Sequence, residues 1–211
     1  MRLVSRYVRR RRPRGFDNDE ALMAALRVFW RRGYEGASIA ELTAEMRIGR
    51  ASLYSAFGNK AELFKMALEL YEREKMSYMA EALKESTSRR MAERVFFGAL
   101  RMQTSNMDPK GCLHVISAVA CGSEATPLRD CVLERQKWAL DALITRIKEY
   151  RNEGDLPADI EPEALARHIT AVVQGLSVQA GAGASDSELA KVVEMALRNW
   201  PARRIEGALP E

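Results

Sequence analysis

The sequence predicts an all-α protein, with a small N-terminal head, a larger helical body and about nine helices in total. Three observations predict it. Apolar residues recur at three- and four-residue spacing in one segment after another. Glycine, proline and hydroxyl or acidic cap residues fall between those segments. Runs of β-branched residues are short and sit inside the helical periodicity, so no strand is expected.

Composition supports a folded chain: 47% of residues are hydrophobic and 29% charged, enough for a core and a solvated surface. No apolar run approaches the ~18 residues of a membrane span. The N-terminus carries arginines without the apolar stretch of a signal peptide, so a cytoplasmic location is expected. Three cysteines, Cys112, Cys121 and Cys131, are too few and odd in number for a disulfide scaffold.

The elements read in order as follows. The first sixteen residues hold seven arginines and no acid. Such a run repels itself, so residues 1–15 are expected to form a flexible basic arm. Asp17 caps the first helix, with Glu20 placed for a capping box. Leu22, Ala25, Leu26, Phe29 and Trp30 give that helix its apolar face, and Gly33 stops it. Ser38 caps a short second helix with Ile39, Leu42 and Met46. A break at Arg47-Ile48-Gly49 leads to a third helix over 50–57, which Gly58-Asn59 ends. A long fourth helix is expected from Lys60 to about Leu83.

The body follows with helices over 88–107, 112–121, 127–154, 162–182 and 185–200, separated by Asp108-Pro109-Lys110-Gly111, Pro127, Pro157 and Pro162, and Gly181 and Gly183. The expected division is arm 1–15, head 16–60, body 61–203 and tail 204–211.

Charge is uneven along the chain. Residues 1–60 carry 13 Lys/Arg against 6 Asp/Glu, and the remainder 20 against 23. A basic head on a mildly acidic body suits a polyanionic partner, although a solubilising tail would look the same. The two short helices cannot bury much alone. Flanked by the first and fourth helices, they leave one face of the third free, a shape that fits the DNA major groove.

The stretch Phe29-Trp30-Arg31-Arg32-Gly33-Tyr34-Glu35-Gly36-Ala37-Ser38-Ile39-Ala40-Glu41-Leu42, followed by Arg50-Ala51-Ser52-Leu53-Tyr54-Ser55-Ala56-Phe57-Gly58-Asn59-Lys60-Ala61-Glu62-Leu63-Phe64, resembles the TetR/AcrR family of bacterial regulators. Two positions depart from the family pattern: Arg47 stands in a turn slot that usually carries Gly, and Gly49 replaces the usual Ser or Thr cap.

The resemblance implies a dimeric transcription regulator, mostly a repressor, whose third helix reads a palindromic operator in double-stranded DNA. Arg50, Ser52 and Ser55 are then candidates for base or phosphate contacts, Tyr54 and Lys60 for phosphate, and Ser38 and Thr43 for further phosphate contacts. Arg12 and Arg14, within the arm, are candidates for the minor groove. Each hydroxyl could equally serve as a cap or face solvent.

For the body the resemblance implies an unidentified small-molecule inducer and a dimer built from about 162–182 and 185–200, with ordinary core packing within one subunit as the plain alternative for those helix faces. The apolar faces available there are Ile169, Val172, Val173 and Leu176, then Leu189, Val192, Val193, Ala196 and Trp200. Pocket candidates by position are Phe96, Met102, Met107, His114, Trp138, His168 and Gln174, any of which could instead be core. Gly111-Cys112-Leu113 with Cys121 nine residues on resembles a subset of the family in which some members sense oxidants or electrophiles. Cys112 is expected in the first turn of its helix, where the helix dipole favours a thiolate. Buried packing is the plain alternative for Cys112 and Cys121.

No cofactor is expected, and Cys112 and Cys121 with one nearby His do not supply three well-placed ligands for a metal. An enzyme is disfavoured, since there are two histidines, no phosphate loop, no HExxH and no dinucleotide-binding glycine motif. A non-sequence-specific DNA-binding protein remains as a rival, separated from a regulator by its specificity ratio.

Overall fold

The computed structural model of the chain describes residues 17–119 and 126–201. Among these the secondary structure is all helical, in ten elements: α1 (Asn18–Gly36), α2 (Ile39–Glu45), α3 (Arg50–Phe57), α4 (Lys60–Lys75), α5 (Ser77–Ala82), α6 (Ser88–Thr104), α7 (Leu113–Val119), α8 (Thr126–Asn152), α9 (Pro162–Gly181) and α10 (Asp186–Arg198). No helix is long and apolar enough to cross a membrane.

The head helices start where side-chain caps satisfy their first N–H groups. Asp17 accepts from Asp19 N–H at 2.8 Å, a shorter loop than the expected box with Glu20. Ser38 accepts from Glu41 N–H at 3.0 Å and Asn59 from Glu62 N–H at 2.9 Å. Gly33 breaks α1 with φ 69° and ψ 178°, and a short helical stretch then continues to Gly36. In the α2–α3 turn Arg47 takes φ 53°, the left-handed conformation that glycine adopts without cost.

The expected single helix over 60–83 is two helices. It breaks at Met76 (φ −108°, ψ 7°). The break turns α5 so that the Tyr78 ring fills the space above Gly98 of α6: a Cβ there would lie 2.3 Å from Tyr78 Cδ2. Helix α6 ends at Thr104, short of 107, because the chain turns out to pair Asp108. The freed carbonyls of Gln103 and Ser105 accept from the Lys110 ammonium at 2.5 and 3.2 Å.

Two cores organise the molecule. The first joins Leu26, Phe29 and Trp30 of α1, Leu42 and Leu53 of the short helices, and Leu63 to Tyr71 of α4 to Leu113 of α7 and Val132 of α8. The second joins Met91 and Phe96 of α6 to Leu143 and Ile147 of α8, Ile169 and Leu176 of α9, and Leu189 and Val193 of α10. Trp200 lies beyond the end of α10 and closes this core. Its indole N–H donates to Ser88 Oγ at 3.3 Å, and its ring meets Phe96 edge-on at 6.4 Å.

Ile169, Leu176, Leu189, Val193 and Trp200 are therefore spent inside their own subunit. For these five residues packing within one subunit holds. A helix pair has more than one apolar stripe, and periodicity alone does not say which stripe turns inward.

Candidate nucleic-acid interface and the cavities behind it

Helix α3 is held from behind by Leu53 and Phe57, both buried. Its other face is open: Arg50, Tyr54 and Ser55 are exposed, while Ser52 is half-buried. Gly49 supplies no side-chain cap, so the N–H groups at the start of α3 keep no side-chain partner. Ser38 is exposed and caps α2. Thr43 is half-buried, and its hydroxyl donates back to the carbonyls of Ile39 (2.8 Å) and Ala40 (3.0 Å). Arg12 and Arg14 lie outside the described residues.

Lys60 is placed by an aromatic group. Phe29, Tyr34 and Phe64 meet ring to ring, with Tyr34 and Phe64 edge-on at 5.3 Å. The Lys60 ammonium stands 4.5 Å above the Tyr34 centroid. Partial burial lowers its pKa, against an opposing pull from the Glu35 carboxylate. The ammonium thus sits at the start of α4, against α1.

Behind the head, α4, α7 and α8 bring three ionisable side chains together. Glu72 Oε1 lies 3.0 Å from His114 Nε2, and Arg135 donates to the other carboxylate oxygen. Burial alone would raise the Glu72 pKa, but His114 and Arg135 outweigh it and hold the carboxyl below its ordinary range. The three residues form the polar end of a cavity of about 660 Å³, whose apolar wall includes Met76, Met79, Leu83 and Trp138. A small chamber of about 80 Å³ continues inward to Ile169, Val173 and Gln174 of α9. The combined shape, mostly apolar with a few converging polar groups, is that of a small-molecule site.

His114, Trp138 and Gln174 lie on these walls. The other pocket candidates lie elsewhere. Phe96 is fully buried in the second core, because its helix face meets α9 and α10. Met102 packs beside Tyr71, whose hydroxyl points at its sulfur. Met107 is 77% exposed in the loop that follows the early end of α6, and His168 is on the exposed face of α9.

Sequence reasoning missed Glu72, Arg135 and Cys131, which line the same cavity. Glu72 meets partners more than forty residues away in sequence, His114 and Arg135, so no local pattern announces that cluster.

Cys112 is buried at the cap position before α7, one residue outside the first turn; its carbonyl accepts from Ile116 N–H at 3.0 Å. The Tyr71 hydroxyl donates to its sulfur at 3.3 Å. Burial, followed by Cys112 itself, holds the Tyr71 phenol well above its ordinary pKa. Cys121 lies outside the described residues.

The loop before Cys112 ties the head to the body. Gly111 carbonyl accepts from the Trp30 indole of α1 and from Gln103 Nε2, each at 3.0 Å. Asp108 pairs with Lys75 of α4 at 2.6 Å and with Arg27 of α1 at 3.7 Å.

Residues 21–67 match the bacterial regulatory proteins of the tetR family, and residues 93–196 match the tetracyclin repressor-like C-terminal domain.

The chain belongs to the TetR family.

As a member it is a sequence-specific DNA-binding transcriptional regulator. It is 29% identical to the transcriptional repressor ComR of Escherichia coli (strain K12), over 91% of this chain and 92% of that one. It is 31% identical to the regulator YezE of Bacillus subtilis (strain 168), over 75% and 82%. Among solved TetR-family structures it is 40% identical to a cysteine mutant of CifR complexed with 26-base-pair operator DNA, with a TM-score of 0.83 and coverage of 90% and 100%.

Proposed function

We propose that the protein is a ligand-responsive repressor that binds a palindromic operator as a dimer. The observation that carries this reading is the pairing of an open α3 face with a 660 Å³ cavity in the body, joined through one shared core. Arg50, Ser52 and Ser55 contact base edges or phosphates, while Tyr54, Lys60, Ser38 and Thr43 hold the backbone. Arg12 and Arg14 reach the minor groove beside it. Residues 16–60 act as the head and 61–203 as the body.

The dimer uses the outer stripes of α9 and α10, where Val178 (58%) and Met195 (54%) are exposed, and not the buried stripe. The ligand is a mostly apolar molecule with a polar group facing Glu72, His114 and Arg135. It induces by binding one head arrangement more tightly than the other.

Footprinting on the DNA upstream of the gene tests this reading. Two inverted protected half-sites, about one helical turn apart, are expected. A single protected half-site without an inverted copy contradicts the dimer.

A second reading is favoured by Cys112, whose sulfur meets the Tyr71 hydroxyl beside both the inner chamber and the head. In it, modification of Cys112 releases DNA, as in a thiol-sensing subset marked by Gly-Cys-Leu. Operator release by peroxide in the wild type and not in Cys112→Ser is expected; equal release in both rules it out.

A further inference from the structure

A second cavity, of about 500 Å³, lies between the head and α9. It shares no lining residue with the 660 Å³ cavity, and only Cys112 and Val115 border both it and the inner chamber. Helix α7 is thus the wall between two compartments. One side belongs to the ligand cavity of the body; the other opens onto Trp30 of α1.

The chemistry of the two compartments differs. The body cavity holds carboxylates and cations together, with Glu72 and Glu134 beside Arg135. The junction cavity is walled by apolar groups, chiefly Trp30, Val115, Ile116 and Val178. Its charged lining residues are Arg31 and Lys110, and no carboxylate among the described residues lines it.

Both cations keep donors to spare. The Lys110 ammonium spends two N–H groups on the carbonyls of Gln103 and Ser105, which fixes its position and leaves a third. Arg31 meets Glu45 at 3.6 Å with one Nη only, and both side chains are well exposed, so that pair is weak. The nearby Asp108 carboxylate is already shared by Lys75 and Arg27.

We propose that this junction cavity is a second binding site, for an amphipathic organic anion. The apolar body of the ligand packs against Val115 and Ile116, and its charged end meets Lys110 and Arg31. Electrostatic focusing in a cleft lined by one sign of charge selects an anion over its neutral analogue. The occupant meets Arg31 of α1. The site therefore touches the head directly, whereas the body cavity is lined by α4, α5, α7 and α8. This inference does not depend on which molecule fills the body cavity.

The test uses the full-length protein and two dyes of similar shape, 1-anilinonaphthalene-8-sulfonate and its neutral analogue N-phenyl-1-naphthylamine, with fluorescence titration as the readout. Arg31→Gln/Lys110→Gln removes the charges, and Ala142→Trp obstructs the body cavity. Saturable binding of the sulfonate is expected. It should weaken about tenfold or more in the double variant, a loss of about 1.4 kcal/mol, and stay unchanged in Ala142→Trp. The neutral dye should be indifferent to the double variant.

Should the double variant fail to show the wild-type melting curve, Arg31→Gln alone, at an exposed position, should still weaken the sulfonate selectively. Loss of sulfonate binding in Ala142→Trp places the dye in the body cavity and overturns the proposal. Equal weakening of both dyes by the charge variants, no effect on the sulfonate, or no saturable binding overturns it as well.

Discussion

The two cores of this molecule are built on different plans. The first holds two short helices, α2 and α3, against α1 and α4 through large aromatic side chains and caps. Trp30 and Phe29 are fully buried, Tyr71 meets Trp30 edge-on at 4.7 Å, and Phe64 stands against Phe29 at 5.2 Å. The second holds long helices together through aliphatic stripes, with ring contacts at its edge where Phe96 meets Trp200.

Short helices have little stability of their own, so their geometry depends on each large contact. A head built that way presents α3 in one orientation. Long amphipathic helices tolerate unfilled space between them, and the 660 Å³ cavity lies beside α8. The difference teaches that presentation of the DNA-reading helix and accommodation of a ligand call for opposite packing, and that α7 and the 105–112 loop must join them.

The largest effect should come from the residue shared by head and loop. Trp30→Ala removes a fully buried indole and its bond to Gly111. A loss of about 3–5 kcal/mol is expected in urea unfolding. A loss under about 1 kcal/mol would show that the head is not locked by this core.

The next tests the body. Gly98→Ala drives a methyl into the Tyr78 ring, so a cost of about 1–3 kcal/mol is expected. The cost should largely vanish in a Tyr78→Ala background, because the two residues are in contact. Additive effects would contradict that packing.

A third separates function from stability in the head. Arg50→Ala should leave the melting temperature unchanged and reduce discrimination between operator and unrelated DNA by about 1–3 kcal/mol. Lys60→Ala should weaken both DNAs alike and lower the salt slope by about one. A loss of specificity from Lys60 and none from Arg50 would reverse the assignments.

The smallest effect concerns the cavity mouth. The Glu72 carboxyl titrates below its unfolded value near 4.5. Its contribution is complete above that value and is lost as pH falls through the folded pKa. The difference in melting temperature between wild type and Glu72→Gln should therefore shrink below about pH 4.5. A constant difference down to acid unfolding would remove the ion-pair account.

The head was legible because its determinants are local. Ser38 caps the helix that begins at Ile39, Gly33 breaks its own helix, and Arg47 occupies the turn slot whose left-handed φ it adopts. The body was legible only as helices. The packing beyond the break at Met76 sets the Tyr78 ring against Gly98, twenty residues away and on another helix. The same holds for Asp108 with Lys75, and for Glu72 with His114 and Arg135. Cavity walls are assembled from four or more helices, so reading pocket residues along one helix placed Phe96 in a pocket when it belongs to the core.

The most direct test of the central claim is equilibrium binding of the full chain to a DNA fragment from upstream of its own gene, with unrelated DNA as competitor, for wild type and for Arg50→Ala/Tyr54→Ala. Both side chains are exposed on α3, so the variant should keep its fold. Wild-type binding that survives competition, and is lost in the variant at an unchanged melting temperature, is the predicted result. Competition-resistant binding equally tight in both proteins would show that the α3 face does not read the operator.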